Sequence, residues 1–341
     1  MNNKSFASDN WAPACSEVMH ALNKANNWHA GAYGDDKYTK QAEELFKRIF
    51  GEHTKTYFVY NGTAANILSL SVINDSFNAV ICSEHAHINV DECGAVEKIV
   101  GTKIISLPSE NGKITIDQIE PHIKALRMPH QVVPKVISIS QPTELGTIYS
   151  INEIKALAEF AHNNDVFLHV DGARISNAVV ALNSDFKTLI TDTGVDILSF
   201  GGTKNGMMFG EAVVILNTHL QKKIEFYRKQ FLQLASKMRF ISAQFLALMN
   251  DDVWKRNAEN SNKMAMLLAK GLSKYPEVKI SQVVETNGVW AILPDNFADK
   301  LMKKSFFHPW DLERKEYRIM TAFDTTKEEV DSFLSALDTA K

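Results

Sequence analysis

Short, solid apolar runs rich in valine and isoleucine alternate along this chain with longer stretches whose apolar positions fall at helical spacing. The solid runs predict strands at 56–60, 79–82, 103–107, 135–140, 166–170, 197–200 and 212–215. Helical spacing predicts helices at 13–26, 38–50, 61–73, 116–126, 151–163 and 184–193, then one long helix over 218–248. Pro13 suits a first helical turn and Gly51 a C-cap. Strand followed by helix, repeated, predicts a mostly parallel sheet covered on both faces, in which ligands collect at the carboxyl ends of the strands. After a helix at 253–275, strands at 278–284, 288–293 and 316–322 and a closing helix at 327–337 predict a smaller unit. The fold class is α/β: a large domain over 1–248 that includes an N-terminal arm, and a small C-terminal α+β domain over 249–341.

Composition narrows the partners. With 341 residues and a net charge of -3, the chain carries no basic stripe or acidic tail, which argues against nucleic acid and membrane surfaces and for a small molecule. No stretch reaches the length of a membrane span and the first residues carry no signal-like apolar region, so the expectation is a cytoplasmic enzyme. Cys15, Cys82 and Cys93 are too scattered for a disulfide framework or zinc ribbon and read as small buried hydrophobes. His85 and His87 form an H-x-H pair without a third ligand at fitting spacing, so no metal site is expected.

The chemistry centres on the stretch 168–210. There Phe167-Leu168-His169-Val170-Asp171-Gly172-Ala173-Arg174 reads as a buried strand ending in a carboxylate and a glycine. About thirty residues on, Gly201-Gly202-Thr203-Lys204-Asn205-Gly206 follows another short strand and holds one lysine among glycines. Either piece alone is more often a plain turn with a solvated lysine. In this order, each after a strand, they suit pyridoxal phosphate: the amine forms a Schiff base with the aldehyde, and the acid keeps the pyridine nitrogen protonated. Upstream, Asn61-Gly62-Thr63 turns a strand into a helix and offers free backbone N–H groups to a phosphate, although a simple turn capped by Thr63 explains it too. His87, in a strand-end loop, can stack on a flat ring or merely hydrogen-bond locally. Tyr33, in the glycine-containing loop before the second helix, reads first as packing, and Lys237-Met238-Arg239 as a solvated helix face.

Taken together, Ser8-Asp9, Tyr33-Gly34-Asp35-Asp36, Asn61-Gly62-Thr63 with Asn66, Ala86-His87-Ile88, His169-Val170-Asp171-Gly172-Ala173-Arg174, Thr203-Lys204-Asn205-Gly206, Met238-Arg239 and Tyr317-Arg318 resemble the L-threonine aldolase family over nearly the whole chain. The resemblance implies the aspartate-aminotransferase-type fold of pyridoxal 5'-phosphate enzymes, in the group that includes beta-eliminating lyases. It implies that Lys204 carries the cofactor, Asp171 pairs with the pyridine nitrogen, His87 stacks on the ring, and Gly62 and Thr63 cradle the phosphate. By the same carry-over Arg174, Arg318 and Ser8 grip the substrate carboxylate, Tyr33 lines the substrate site, and His87 is the usual base for the hydroxyl proton. The family further implies a homotetramer of close dimers, with Arg239 reaching a neighbour's phosphate. The implied reaction is retro-aldol cleavage of L-threonine, L-allo-threonine or related β-hydroxy-α-amino acids such as phenylserine to glycine and an aldehyde.

The chain departs from the family at one place. Many members carry an asparagine-threonine-histidine run after the central strand, whereas here Gln141-Pro142-Thr143-Glu144-Leu145-Gly146 puts Glu144 at the histidine's position, as a base or as a structural acid. The same scaffold also hosts β-elimination and transamination, so substrate-side residues decide the chemistry. A pyridoxal phosphate-binding regulator without turnover is the remaining alternative; the intact Lys204, both arginines and the lack of an appended nucleic-acid-binding segment stand against it.

Overall fold

The computed structural model describes residues 5–124 and 129–338. Seven strands form the large sheet: β1 (Lys55–Val59), β2 (Asn78–Ser83), β3 (Lys103–Leu107), β4 (Val133–Ser140), β5 (Phe167–Gly172), β6 (Ile197–Gly201) and β7 (Glu211–Ile215), in the order β1-β7-β6-β5-β4-β2-β3. All neighbours from β6 through β3 are parallel, while β7 lies antiparallel between β1 and β6. Strands β2, β6 and β7 are buried along their full length, which is why they read as solid apolar runs without alternation.

A second sheet, β10-β11-β9-β8, is antiparallel and built from β8 (Lys279–Ile280), β9 (Gly288–Ile292), β10 (His308–Asp311) and β11 (Glu316–Met320). It packs its own apolar core, which includes Leu268, Val289, Ile319, Phe333 and Phe6 of the N-terminal arm. Phe6 also donates its N–H to the Phe306 carbonyl at 3.0 Å and accepts from the Met320 N–H at 2.8 Å, which ties the arm to this sheet. The helix Val253–Leu272 runs from the large core to the small one.

Several elements differ from the sequence expectation, each for a local reason. The long helix over 218–248 is broken into a 3-10 turn Thr218–Lys222, a helix Ile224–Gln230 and a helix Arg239–Met249. Leu232 stops the middle piece by adopting a left-handed conformation (φ 64°), and the Gln233 N–H closes back on the Arg228 carbonyl at 2.9 Å. A leucine at that position gives periodicity no sign of the stop. Arg239 therefore starts a helix rather than lining the middle of one, and its Nε is buried without a partner among the described residues, so it is not a solvated face. The helix at 184–193 shrinks to a π-turn, Lys187–Thr191, and Ile175–Ala181 is helical instead. In the small unit, the helix Asp295–Lys304 and strand β10 were not anticipated, and the strand at 278–284 shortens to β8. The end of the helix at 116–126 lies partly outside the described residues. Cys15 and Cys82 are buried, but Cys93 is exposed.

Candidate active site

The carboxyl ends of β1, β2, β4, β5 and β6 lead directly into Gly62, His87, Glu144, Asp171 with Arg174, and Lys204. Because β7 runs the other way, its first residue, Glu211, lies at the same edge, opposite Gly201. One sheet edge thus collects Lys204, Arg174 and several acids, while Arg318 belongs to β11 of the second sheet.

Lys204 sits in the 3-10 turn Thr203–Asn205, which two sets of hydrogen bonds fix. Asn205 donates its side-chain amide to the Trp254 carbonyl at 2.9 Å, and its own carbonyl accepts from the Asn257 amide at 2.8 Å. On the other side Glu211 accepts the Gly202 N–H at 2.6 Å. Lys204 is half-buried as a residue, with its amine at the inner end, and that amine forms no hydrogen bond or ion pair among the described residues. Burial, with the Arg174 charge added, holds it below the usual lysine range against the pull of Asp9, Asp171 and Glu211. Burial also pushes the Glu211 carboxyl up to about 7.

Asp171 ends β5. Its Oδ2 accepts from the Asn66 amide at 2.8 Å and its Oδ1 from the Ala173 N–H at 3.0 Å. Asn66 uses its second amide hydrogen on Glu92 Oε1, also at 2.8 Å, and that same oxygen meets His87 Nδ1 at 2.9 Å. A chain His87–Glu92–Asn66–Asp171 therefore joins the imidazole to the strand-end acid. The Glu92 bond raises the His87 pKa, against its burial. Nothing in the sequence singled out Glu92; its only signal was an acid five residues beyond a candidate histidine.

Glu144 is held by one oxygen. Its Oε1 accepts the His87 N–H at 2.8 Å and the Ser140 hydroxyl at 2.5 Å. The loop carrying it is pinned by Gln141, whose N–H donates to the Asp171 carbonyl at 2.8 Å, and by the Thr143 N–H on the Thr147 carbonyl at 2.9 Å. Burial and the Asp171 charge raise the Glu144 pKa over the opposing bonds from Ser140 and His87. A small cavity is lined by Glu144, Arg174, Asn287, Trp290 and Arg318.

Asp9 holds Arg174 side-on, accepting from Nε at 2.6 Å and from Nη2 at 2.9 Å, and takes a further bond from the Asn287 amide at 3.0 Å. Burial alone would raise the Asp9 carboxyl, but the guanidinium outweighs it and the group lies below the usual carboxylate range. The contact leaves the outer Nη1/Nη2 edge of Arg174 for a ligand. Arg318 stands beside Trp290 in the β9–β11 register, lies over the Trp310 ring at 5.5 Å, and keeps a buried Nε without a partner among the described residues. Ser8 accepts the Asn10 N–H at 3.2 Å as the cap of the turn Asp9–Trp11.

At the start of the helix Gly62–Ser71, the cap is Asn61 rather than Thr63: Asn61 Oδ1 accepts the Ala64 N–H at 2.9 Å. The Gly62 and Thr63 N–H groups are the ones a helix N-terminus leaves without intrahelical partners. A Cβ placed on Gly62 would meet nothing within 4 Å, so the side-chain side of this glycine is open. Tyr33 and Arg239 stand apart, with no hydrogen bond or ion pair to the Lys204 group among the described residues. The Tyr33 N–H donates to the Ser236 carbonyl at 3.1 Å and the Lys229 amine lies over its ring; Arg239 Nη1 donates to the Trp28 carbonyl at 3.1 Å. No cluster of three or more histidines, cysteines or acids able to hold a metal occurs among the described residues.

Comparison with known proteins gives the family of the chain. The low specificity L-threonine aldolase of Pseudomonas sp. (strain NCIMB 10558) is 39% identical over 326 residues, covering 95% of this chain and 94% of that protein. The low specificity L-threonine aldolase of Saccharomyces cerevisiae is 25% identical, over 94% of this chain and 87% of that protein. The solved structure of Leishmania major threonine aldolase superposes with a TM-score of 0.94 at 27% identity, covering 98% of this chain and 99% of that one. Thermus thermophilus aspartate aminotransferase, at 15% identity and a TM-score of 0.71 over 99% of this chain and 90% of that one, shares the fold. The profile of the family described as beta-eliminating lyase matches residues 5–295. The chain is thus a lyase of aspartate-aminotransferase-type fold that belongs to the beta-eliminating lyase family, among the L-threonine aldolases.

Proposed function

We propose that this enzyme binds pyridoxal 5'-phosphate and cleaves L-threonine and L-allo-threonine to glycine and acetaldehyde, accepting larger β-hydroxy-α-amino acids such as phenylserine. The observation that carries the reading is the Lys204 amine, unpaired among the described residues and held below its usual pKa at a sheet edge with Asp171 and Arg174, with Arg174 also lining a small cavity together with Arg318. The donor set fits the cofactor. Gly62 and Thr63, at a helix N-terminus, would hold its phosphate, Asp171 would pair with its ring nitrogen, His87 would cover its ring, and Lys204 would hold its aldehyde carbon. Bound there, the cofactor supplies a ring that takes up the electrons of the broken Cα–Cβ bond.

The remaining steps belong to the protein. Arg318 and the free edge of Arg174, with the Ser8 hydroxyl, hold the substrate carboxylate, and this clamp turns the Cα–Cβ bond to the angle at which it breaks. Glu144 removes the proton from the β-hydroxyl. It lines a cavity with the two arginines, its second oxygen is not engaged by Ser140 or His87, and burial raises its pKa above the ordinary glutamate value, which makes it a stronger base than a free carboxylate. His87, tied to Glu92 through Nδ1, keeps its ring in place for stacking.

We further propose a cytoplasmic homotetramer of close dimers, divided at 248/249 into two domains. Trp28, at 84% exposure, and Tyr33 support an interface beside Arg239, which would reach a neighbour's phosphate; Tyr60 and Phe209, stacked at 6.3 Å, flank the phosphate turn and the Lys204 turn. Mass-resolved size-exclusion chromatography checks the assembly, and a monomer would refute it.

The activity test incubates the purified protein with pyridoxal phosphate and L-threonine and separates glycine plus acetaldehyde from 2-oxobutanoate plus ammonia. Equal amounts of glycine and acetaldehyde are expected, and Lys204→Ala removes both. Keto acid and ammonia would mean β-elimination on the same scaffold.

A further inference from the structure

Beneath the site lies a second polar layer that the proposed reaction does not use. His169 precedes Asp171 by two residues on β5, so the two side chains leave the same face of the strand, about 7 Å apart along it. The imidazole is completely buried. Its Nδ1 lies 2.8 Å from the hydroxyl of Ser138, its register partner on β4, and its Nε2 lies 3.0 Å from the hydroxyl of Ser199 on β6. Ser199 is in turn the register partner of Asp171, and its hydroxyl reaches that of Ser69 at 3.3 Å. Ser69 belongs to the helix Gly62–Ser71, three residues after Asn66, so the two side chains point down from one face of that helix. Asn66 grips Asp171 and Ser69 grips the layer beneath it.

All four members of this layer are buried. Apolar side chains would fill the same space without needing partners, so a polar layer here costs stability unless every member is satisfied. Both ring nitrogens are satisfied by hydroxyls that can donate or accept, which matches a neutral imidazole with one N–H and one lone pair. The groups facing it from β4, β6 and the covering helix are hydroxyls, and Asp171 is the ionisable neighbour. Burial outweighs the pull of that carboxylate and pushes His169 down to about 4.

We propose that His169 is a positioning residue for Asp171: clamped between Ser138 and Ser199, it fixes the end of β5 so that the carboxylate faces the ring nitrogen of the cofactor. Being uncharged at neutral pH, it leaves the whole Asp171 charge for that nitrogen. The proposal rests on the assignment of Asp171 to the ring nitrogen, and the experiment separates the two.

Apoprotein is titrated with pyridoxal phosphate, and the dissociation constant is read from tryptophan fluorescence for the parent, His169→Asn, Asp171→Asn and the double variant. Asp171→Asn is expected to weaken binding at least tenfold. His169→Asn should weaken it several-fold in the parent and add nothing in the Asp171→Asn background. An additive loss, or no loss from His169→Asn, overturns the positioning role while leaving Asp171 assigned. No loss from Asp171→Asn overturns both. Should His169→Asn fail to fold, Ser199→Ala removes the Nε2 partner and must show the same dependence on Asp171. In the parent apoprotein, nitrogen NMR of labelled histidine should show the His169 ring neutral from pH 6 to 9; a ring that is charged or titrates there overturns the neutral clamp.

Discussion

Replacing Asp9 by asparagine tests the carboxylate clamp most directly. Asp9 joins the arm to both halves of the protein, because Phe6 is hydrogen-bonded to the small sheet while Asp9 holds Arg174 beside the large one. The pair is buried on the Asp9 side, at 1% side-chain exposure, and one-fifth exposed on the Arg174 side. Removing one partner of a buried ion pair costs about 3–5 kcal/mol, because the other charge is left desolvated. Asparagine still offers one acceptor and Arg174 is partly wet, so the expected loss falls below that range, at about 2–3 kcal/mol in urea unfolding. In turnover of L-threonine the guanidinium loses its side-on brace. Misplacement of a positioning group by about 1 Å costs about 100-fold, so kcat/KM should fall by about that factor, mostly through KM. The lowered Asp9 carboxyl adds stability that is complete above its unfolded value of 3.8 and is lost as pH falls through its lower folded value. The gap between parent and variant should therefore be flat from pH 6 to 9 and close only in acid. A variant within about 0.5 kcal/mol of the parent with unchanged KM would refute the brace.

Three further outcomes follow from the same edge. A Cβ at Gly201 would stand 2.2 Å from the Ala173 carbonyl oxygen, backbone that cannot step aside, so Gly201→Ala should lose about 1–3 kcal/mol in urea unfolding and most turnover by displacing Asp171, Arg174 or Lys204; full activity would refute the close approach. Glu211 holds its proton up to about 7 in the folded state against an ordinary glutamate value of 4.5, so it withdraws stability as pH rises between those values; Glu211→Gln should remove up to roughly 3 kcal/mol of that dependence in apoprotein unfolding at pH 5 and 7.5, and an unchanged dependence would exclude the buried proton. Glu92→Gln should lower the His87 pKa, read by proton NMR of the imidazole, and an unmoved titration would mean that Glu92 does not set it.

The strands and the lysine turn were readable from the sequence because their cause is local. A strand buried on both faces has to be a solid apolar run, and the chain must turn with small or polar residues where it leaves the sheet; β5 and β6 show both features within a few residues of Asp171 and Lys204. The break at Leu232 was hidden because the left-handed position carries a leucine where the rule expects glycine. The partners of the site residues were hidden for a different reason. Asp9 meets Arg174 across 165 positions, Asn66 meets Asp171 across 105, and Ser69 meets Ser199 across 130. No window of sequence contains both members of such a pair. Glu211, only nine residues from Gly202, was hidden by topology instead: as the first residue of a strand it should lie at the amino edge of the sheet, away from the ligand side, and it reaches Gly202 because β7 is inserted antiparallel between β1 and β6. The groups proposed to do chemistry are thus marked by the local rule that ends a strand, whereas the groups that set their charge and aim depend on strand order. Strand order follows from how whole apolar faces pack, so a single chain read by spacing alone yields the lysine and the acid but not what tunes them.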